Sequence, residues 1–508
     1  MSSKTLLLLL ALALFLPNLS SEYVWDDRLL VVLNPWTDHW SSLLNIWTQD
    51  LWHGVPGESK HNWYRPLMSA HLIVDQKLFG EALFPRQLIS LGWHLTTVAL
   101  LFSYVQRWAV SPSVLLLSVG FFALHPFQWE VNRFIAARND SMGLCFALAA
   151  ILSKGPYRAG FCALAAFLSK ESTLLILPIL LAGEWLNNRS IRHLLPSFGI
   201  AALLYGILRS FATLESPELS FASVFPVATT YLSCLWWPHQ CPATRPPIEL
   251  SINHISLIPI FFLLLLGQRH RPRLTVVAFI FLASGLFLAA LSASTSFSMA
   301  HRYMHLPLLG VTLLLSAAIP ARMPSGIAKI TTIALALCSF PYAKSWSSSQ
   351  QLWANSHARY PSPYTACGLF KEVEQQPDVA LPLLHEAIAT SPVLHCCYNA
   401  TIYPLRVSNP TTTQEFGQTA LTAGCPQSVE LIAPLAMAEA LLGNWNTAAE
   451  LANRHQRDPF GFGPVILSAE GLQRSDRSPL QYWAQFGSGG ESALEKKALL
   501  LLQKQVAE

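Results

Sequence analysis

The sequence contains few charged residues for its length. Only 12% of its 508 residues are Asp, Glu, Lys or Arg, against about a quarter in ordinary soluble domains. Hydrophobic residues make up 52% of the chain, and the mean hydropathy is +0.36. A soluble protein of this size cannot bury that much apolar surface, so the composition indicates a polytopic membrane protein.

Two further absences exclude whole classes of function. The formal net charge is only +4 and the basic residues form no block, so the electrostatic footprint of a nucleic-acid-binding protein is missing. The nine cysteines show no CxxC or Cys/His spacing. A zinc or redox site therefore has no support in the sequence.

The apolar stretches predict about eleven transmembrane helices. The first, residues 5–17, precedes no convincing small-x-small cleavage site, so we expect a retained helix, with a cleaved signal peptide as the alternative. Several of the others are close to the minimum length for a hydrocarbon layer of ~30 Å. They lie at about 87–106, 112–124, 140–153, 157–169, 172–186, 195–212, 254–267, 274–292, 303–319 and 326–342.

The charges between these stretches predict the topology. If the N-terminus is cytoplasmic, every cytoplasmic loop is basic, as the positive-inside rule requires. The residues concerned are Arg107, Lys154, Arg158, Arg189, Arg192, Arg269, Arg271, Arg273, Arg322 and Lys329. An odd number of spans places the C-terminal region outside, in a periplasm or a lumen.

The outer segments are long, above all residues 20–86. Within them, Trp36, Trp40, Trp47 and Trp52 recur near helical spacing. This pattern predicts an amphipathic helix in the membrane interface, or alternatively a helix that packs on the neighbouring spans.

From about residue 345 the chain becomes polar, with no further spanning candidate. Small, bulky and proline positions recur as in degenerate tetratricopeptide repeats, which build α-solenoids that commonly dock partners. The first match comprises Tyr364, Gly368, Ala380, Leu384, Ala387 and Pro392, and the second Leu435, Ala436, Gly443, Trp445 and Ala448. In an oxidising compartment, Cys396 or Cys397 is a candidate to pair with Cys425. We thus predict a membrane domain over residues 1–344 and an extracytoplasmic repeat domain over 345–508.

The unusual polar residues all map to the non-cytoplasmic face. Each alone is best explained as an interfacial ion pair, but several cations and carboxylates at one face suit an anionic lipid headgroup beside a reaction centre. A nearby carboxylate can take a proton from an attacking hydroxyl. The set is Asp26, Asp27, Arg65, His125, Glu130, Arg133, Arg138, Asp140, Lys170, Glu171, His301, Arg302 and His305.

The order of motifs around these residues resembles a known family. The runs are VWDDRLLVVLN, QDLWHG, WYRPLMSAHLIVDQKLFG, FALHPFQWEVNRFIAARND, LSKES and HRYMHLPLLG, with YLSCLWWPHQCP as a further outer-loop segment. They resemble the transmembrane O-mannosyltransferases with tetratricopeptide repeats, of the GT-C glycosyltransferase superfamily, over essentially the whole chain. The resemblance implies an all-α GT-C fold with the repeats at its C-terminus.

The resemblance also implies a reaction. An inverting enzyme would transfer a sugar, mannose or a similar hexose, from a polyprenyl-phosphate carrier to a protein hydroxyl. Asp26 is then the first choice for the catalytic base, with Asp27 supporting or replacing it. Arg65, Arg138, Lys170 and Arg302 would stabilise the leaving phosphate, whereas His125 and Glu130 would orient the sugar or these cations.

Other hypotheses stay open at this stage. The adjacent carboxylates could share a divalent metal, although two neighbours alone make a poor cage. Buried charges also mark transporters and lipid flippases, and a non-catalytic scaffold could recruit partners through its repeats. The short repeat array favours a bacterial inner membrane with a periplasmic site over an endoplasmic reticulum membrane with a lumenal one.

Overall fold

The computed structural model describes residues 1–19, 22–55, 63–212, 224–245, 254–295, 299–389, 394–407 and 410–454. The chain divides into two compact units, Met1–Asn355 and the part that begins at Ser356. Nearly all regular structure in the described ranges is helical, in agreement with the predicted all-α class.

The first unit is a helical bundle with one hydrophobic core. Proline opens several of its helices, among them those that begin at Pro66, Pro112 and Pro156, because a residue in the first turn needs no hydrogen-bonded N–H. The helices are α1 Ser3–Phe15, α2 Pro66–Phe79, α3 Leu83–Gln106, α4 Pro112–Leu124, α5 Gln128–Arg133, α6 Arg138–Leu152, α7 Pro156–Ser169, α8 Thr173–Leu186, α9 Leu195–Ser210, α10 Val224–Trp236, α11 Leu257–His270, α12 Pro272–Thr295, α13 His305–Ala318, α14 Ser325–Ser339 and α15 Ser349–Arg359.

Each of the eleven apolar stretches in the sequence corresponds to a helix, namely α1, α3, α4, α6 to α9 and α11 to α14. Within the described residues, four helical segments are long and apolar enough to cross a membrane. These are Leu83–Gln106, Ile135–Leu152, Pro272–Ala293 and Ser325–Trp346. The structure therefore supports an integral membrane protein, and eleven spans remain a prediction.

Two glycines bring α12 and α13 into close contact. A Cβ atom on Gly310 would lie 2.5 Å from the backbone nitrogen of Leu282, and one on Gly285 would lie 2.8 Å from that of Pro307. Small residues let apolar helices approach in this way. The approach fixes α12 beside the segment that carries Arg302, just before α13.

The tryptophan-rich outer segment is not the continuous amphipathic helix that its spacing predicts. It forms two short 3-10 turns, Pro35–Asp38 and Trp40–Leu44, followed by further turns. The extended backbone of His39, between the two turns, breaks the helical geometry. Trp40 and Trp47 are exposed, whereas Trp52 is buried in the core.

A small β-pair fixes the loop before Arg302. Strand β1, Thr244–Arg245, pairs antiparallel with β2, Met299–Ala300, with Thr244 opposite Ala300. The Tyr231 hydroxyl on α10 exchanges hydrogen bonds with the backbone N–H and carbonyl of Ala300. A disulfide between Cys234 and Cys241 closes the intervening segment.

The second unit consists of successive helix pairs. Each pair packs together, α16 with α17, α18 with α19 and α20 with α21. The elements are α16 Pro363–Val373, α17 Pro377–Ala389, α18 Leu394–Arg406, α19 Pro410–Thr422, α20 Val429–Leu441 and α21 Trp445–Arg454. This arrangement is compatible with the predicted tetratricopeptide repeats, whose assignment stays a prediction.

Several repeat positions carry the expected small or bulky residues in the core. Gly368, Ala380, Leu384 and Ala387 are buried, as are Leu435, Ala436 and Ala448. Gly443 turns the chain between α20 and α21 with a φ of +85°, a conformation that favours glycine. Pro392 lies outside the described residues.

Disulfides stabilise this unit. Of the two predicted alternatives, Cys397 is the partner of Cys425, and Cys396 pairs with Cys367 instead. Adjacent cysteines thus join α18 both to α16 and to the turn after α19.

Candidate functional site

The first unit contains a polar cleft with aromatic walls. Segments distant in the sequence contribute to it: the loop after α1, the loop before α2, the start of α6, the end of α7 and the turn before α13. Its lining includes Asp26, Trp52, Trp63, Arg65, Phe134, Asn139, Asp140, Lys170, Arg302 and Tyr303.

The two adjacent aspartates occupy different environments. Asp26 lines the cleft. Asp27 is fully buried, and its two carboxylate oxygens each accept a hydrogen bond of 2.8 Å, from the backbone N–H groups of Ile135 and Ala136. Asp27 therefore holds the turn that leads into α6, while Asp26 alone of the pair lines the cleft.

Trp25 directly precedes the two aspartates and has an unusual backbone conformation. Its φ of +55° is rare for a bulky residue and requires support from the surrounding structure. The Trp25 N–H donates to the Ser349 hydroxyl at 2.9 Å. Its ring stacks on Phe134 at 5.7 Å and contacts Trp353 edge-on at 5.9 Å.

Arg302 is bound on all sides. Its Nη1 atom donates to Glu130 Oε1 at 2.7 Å, and its backbone N–H donates to Oε2 at 2.9 Å. The guanidinium carbon lies 5.0 Å from the centre of the Trp25 ring and 5.4 Å from that of Phe134, which are cation–π distances. Glu130 is fully buried behind it, so this carboxylate positions the arginine.

Two more ion pairs complete the polar lining. Lys170, which ends α7, forms an ion pair with Asp140 in the first turn of α6. Arg65 Nε donates to Glu171 Oε2 at 2.9 Å. Each predicted cation of the cleft thus has a carboxylate partner from a different segment.

Burial shifts the pKa values of these groups. It raises the pKa of Asp27 to about 7, against the opposing effect of its two N–H donors. Burial also raises the pKa of Glu130, opposed by Arg302, and lowers the pKa of Lys170, opposed by Asp140. In each pair the partner's charge offsets part of the desolvation.

Two further predicted site residues, besides Asp27 and Glu130, do not line the cleft. Arg138 is fully buried, and its donors bind Asp75 Oδ2 at 2.5 Å, the Ser90 hydroxyl at 2.9 Å and the Arg86 carbonyl at 2.7 Å. It joins α2, α3 and α6, so a phosphate-binding role for Arg138 is not supported.

His125 is the second. It is buried among Phe121 and Phe127, and its Nε2 atom lies 3.3 Å from the Leu235 carbonyl. Burial lowers its pKa to about 4, which leaves it neutral at physiological pH. His125 does not line the cleft, so the sugar-orienting role predicted for it is not supported.

A second groove adjoins the cleft. On one side it is lined by Gly285, Leu288 and Ala289 of α12. Asp140, Lys170, Arg302 and Tyr303 line both the groove and the cleft. The shared cations therefore stand between the cleft and the apolar residues of α12.

The described residues offer no cluster of three or more His, Cys, Asp or Glu side chains able to hold a metal ion. Asp27 in particular directs both carboxylate oxygens to backbone N–H groups. A metal shared by Asp26 and Asp27, which the sequence left open, is thus not supported by the part of the chain that the structure describes.

Sequence reasoning missed several lining residues, of which Asn139, Trp52 and Trp63 matter most. Asn139 lies between two charged residues in the motif ARND. Its position between them is the one sequence feature that could have marked it as a site residue. The two tryptophans belong to a run whose aromatic residues face both outward and inward, so the sequence could not select them.

Comparisons with known proteins bear on this site. No family model matches the sequence. The crystal structure of ArnT from Cupriavidus metallidurans bound to undecaprenyl phosphate aligns with 89% of this chain and 80% of that chain, at 14% identity and a TM-score of 0.40. That score is too low to support a statement about fold or ligand.

A sequence relative is more informative. The protein O-mannosyl-transferase F38B6.6 of Caenorhabditis elegans is 23% identical over 407 residues, which cover 72% of this chain. The match spans 58% of the length of that relative. The resemblance predicted from the ordered motifs is confirmed: the chain is similar to a protein O-mannosyltransferase.

Proposed function

We propose that this protein is an integral-membrane, inverting glycosyltransferase of the GT-C type. It transfers a sugar, mannose or a similar hexose, from a polyprenyl-phosphate carrier to a hydroxyl group of a protein on the non-cytoplasmic side. The similarity to a protein O-mannosyltransferase supports the reaction class. The donor and the residue roles rest on the geometry of the cleft.

One observation carries the proposal. A carboxylate, Asp26, shares a cleft with Lys170 and Arg302, and these cations also line the groove that Gly285, Leu288 and Ala289 of α12 border. A lipid-phosphate sugar has the same sequence of chemical parts: an apolar chain, an anion and a polar ring. The anion between the cleft and the groove would meet an ammonium and a guanidinium, which suit phosphate oxygens.

The proposed reaction is a single displacement. Asp26 accepts the proton of the acceptor hydroxyl, whose oxygen attacks the anomeric carbon from the side opposite the phosphate. The bond between that carbon and the phosphate oxygen breaks as the new one forms, and the phosphate leaves with the bonding electrons. Lys170 and Arg302, with Arg65 nearby, stabilise the developing negative charge. The configuration at the anomeric carbon is inverted.

The proposed topology has eleven spans, with the cleft and the C-terminal repeats on the non-cytoplasmic side of a bacterial inner membrane or of the endoplasmic reticulum. The cysteines support it. The Cys234–Cys241 disulfide lies between the predicted spans 195–212 and 254–267, and the other two lie in the second unit. Disulfides persist in oxidising compartments. The free cysteines Cys145, Cys162 and Cys338 lie on predicted spans.

The acceptor protein is proposed to dock on the helical repeats. A groove of the second unit is lined by Glu415, Gln418, Thr419 and Thr422 of α19 and by Ala389 at the end of α17. Carboxylate, amide and hydroxyl side chains at such a surface suit the backbone of an extended peptide.

Reconstitution of the purified protein with polyprenyl-phosphate mannose and a Ser/Thr-rich peptide tests the proposal. Asp26→Asn should lower transfer about 10²- to 10⁴-fold, the typical contribution of a general base. Asp38→Asn is the matched control, because Asp38 lies in the same loop but is exposed and away from the cleft. Transfer should remain at the wild-type rate in this control.

Three outcomes contradict the proposal. Full activity of the Asp26→Asn, Asp27→Asn double variant excludes a carboxylate base at this position. Movement of the lipid donor across the vesicle membrane without sugar transfer identifies a transporter. Binding of a partner protein without transport or sugar transfer identifies a scaffold.

A further inference from the structure

Two oxygen atoms in the cleft have no hydrogen-bond partner within the described part of the chain. They are Oδ1 of Asn139 and Oδ2 of Asp140, on side chains that are 1% and 7% exposed. A buried acceptor without a donor costs free energy comparable to a lost hydrogen bond. Such atoms at the wall of a cleft point to a ligand that brings donors.

The identity of the Asn139 atom follows from its other contact. The amide of Asn139 lies 2.8 Å from the carbonyl oxygen of Ala136, which can only accept a hydrogen bond. The atom at that contact is therefore the nitrogen, and the oxygen is the atom left for a ligand. Ala136 in turn donates its N–H to Asp27, so the buried aspartate indirectly fixes the orientation of Asn139.

The two acceptors suit hydroxyl groups. The phosphodiester of a lipid-linked sugar carries no donor at neutral pH and would be repelled by an amide oxygen and a carboxylate. A metal cation would stand beside the ammonium of Lys170, which already binds the other oxygen of Asp140. Sugar hydroxyls bring neutral donors, and the walls formed by Trp52 and Trp63 offer apolar faces to the C–H groups of a ring.

The position of Asn139 agrees with the order of the donor's parts. Asn139 lines the cleft and is absent from the groove on α12, whereas Leu288 lines the groove and not the cleft. Lys170 lies on the border of both. If the phosphate binds at Lys170 and the lipid chain lies along Leu288, the sugar ring lies on the opposite side, next to Asn139.

On the basis of the function proposed above, we propose that the first turn of α6 reads the donor sugar. Asn139 Oδ1 and Asp140 Oδ2 accept hydrogen bonds from ring hydroxyls, with the ring against Trp52 and Trp63. These two oxygens then determine which sugar hydroxyl pattern is accepted, while Lys170 and Arg302 bind the phosphate that all such donors share.

A thermodynamic cycle tests this inference: it combines the substitution of one side chain with the removal of one sugar hydroxyl at a time. Donors that lack the 2-, 3-, 4- or 6-hydroxyl are compared with polyprenyl-phosphate mannose on the wild type and on Asn139→Leu, which keeps the shape but removes the acceptor. We expect the variant and one particular deoxy donor each to lower kcat/KM roughly 10- to 100-fold. When the variant acts on that deoxy donor, kcat/KM should fall little further than with either change alone.

Asn132→Leu is the matched control. Asn132 is fully buried, its amide nitrogen donates to the Gln128 carbonyl at 2.8 Å, and its oxygen also lacks a partner in the described ranges, but it does not line the cleft. Removal of the sugar hydroxyl should lower its kcat/KM by the same factor as in the wild type. Asn139→Asp, which retains an acceptor oxygen, should recover part of the selectivity if Asn139→Leu folds poorly.

The outcomes separate the two proposals. Purely additive losses for all four deoxy donors overturn the sugar-reading role and leave the proposed function intact. A requirement for Mn²⁺ or Mg²⁺ that rises in Asn139→Leu shows a metal ligand and also overturns it. A wild-type protein that transfers no sugar from any of these donors overturns both proposals.

Discussion

Asp26 and Asp27 are neighbours in the sequence, but only Asp26 lines the cleft. Asp27 directs its carboxylate into the protein, to the N–H groups of Ile135 and Ala136. The left-handed backbone of Trp25 precedes this divergence. One member of the pair thus lines the cleft, while the other holds the segment from which α6 begins.

The buried position of Asp27 predicts a pH dependence of stability. Its pKa of about 7 lies above the ordinary value of 3.8, so the native protein binds more protons than the unfolded chain between about pH 4 and pH 7. The free energy of unfolding should therefore fall as pH rises through this range. Asp27→Asn removes this titration, and the difference in Tm between variant and wild type should change with pH. A constant difference between pH 4 and 8 would falsify this account.

The ion pair between Arg302 and Glu130 predicts strong coupling. Removal of one partner leaves a buried charge uncompensated, which costs about 3–5 kcal/mol. Arg302→Met and Glu130→Gln should each be strongly destabilising, while the double variant recovers much of the loss. Unfolding of the four proteins in detergent gives the coupling energy. Sugar transfer should stay absent in the double variant, because the phosphate then lacks its guanidinium, and additive destabilisation argues against the pair.

The groove along α12 predicts that the lipid chain can be blocked separately from the sugar. Leu288→Trp fills the groove and should raise KM for a full-length polyprenyl-phosphate donor about 10-fold, with a smaller effect on a short-chain analogue. Phe287→Trp is the matched control, because Phe287 is the preceding residue of the same helix but does not line the groove. Equal effects of both substitutions, or equal effects on both donors, would show that the chain lies elsewhere.

The disulfides of the second unit predict sensitivity to reducing agents. Cys367–Cys396 and Cys397–Cys425 close segments of 29 and 28 residues, and each bridge is expected to contribute about 2–4 kcal/mol. A reducing agent or the Cys397→Ser, Cys425→Ser variant should lower the Tm of the repeats. Cys338→Ser is the control, since Cys338 is exposed and unbridged. An unchanged Tm under reducing conditions contradicts the pairing.

The sequence predicted the helices well because their cause is local. Each apolar stretch is long enough to identify by composition, and each forms a helix. The same holds for Arg65, Lys170 and Arg302, whose positive charge on the predicted outer side was unusual enough to mark them. All three line the cleft.

Other features depend on packing between distant segments, which no local pattern reveals. Arg138 resembled the cleft cations in the sequence, but Asp75, Ser90 and Arg86 occupy its donors. Asn139 carried no charge to attract notice, although it lines the cleft next to Asp140. The tryptophan spacing predicted a helix, but the extended backbone of His39 interrupts that run.

The three ion pairs of the cleft have a consequence for biogenesis. Their partners are 30, 106 and 172 residues apart in the sequence, so the site is completed only after the turn before α13 has been synthesised and packed. A chain truncated before Arg302 leaves Glu130 charged and uncompensated among apolar helices, which is costly near a bilayer. Quality-control factors can recognise such an incomplete chain by its unneutralised charge. The ion pairs that build the site are also the ones that neutralise its charges.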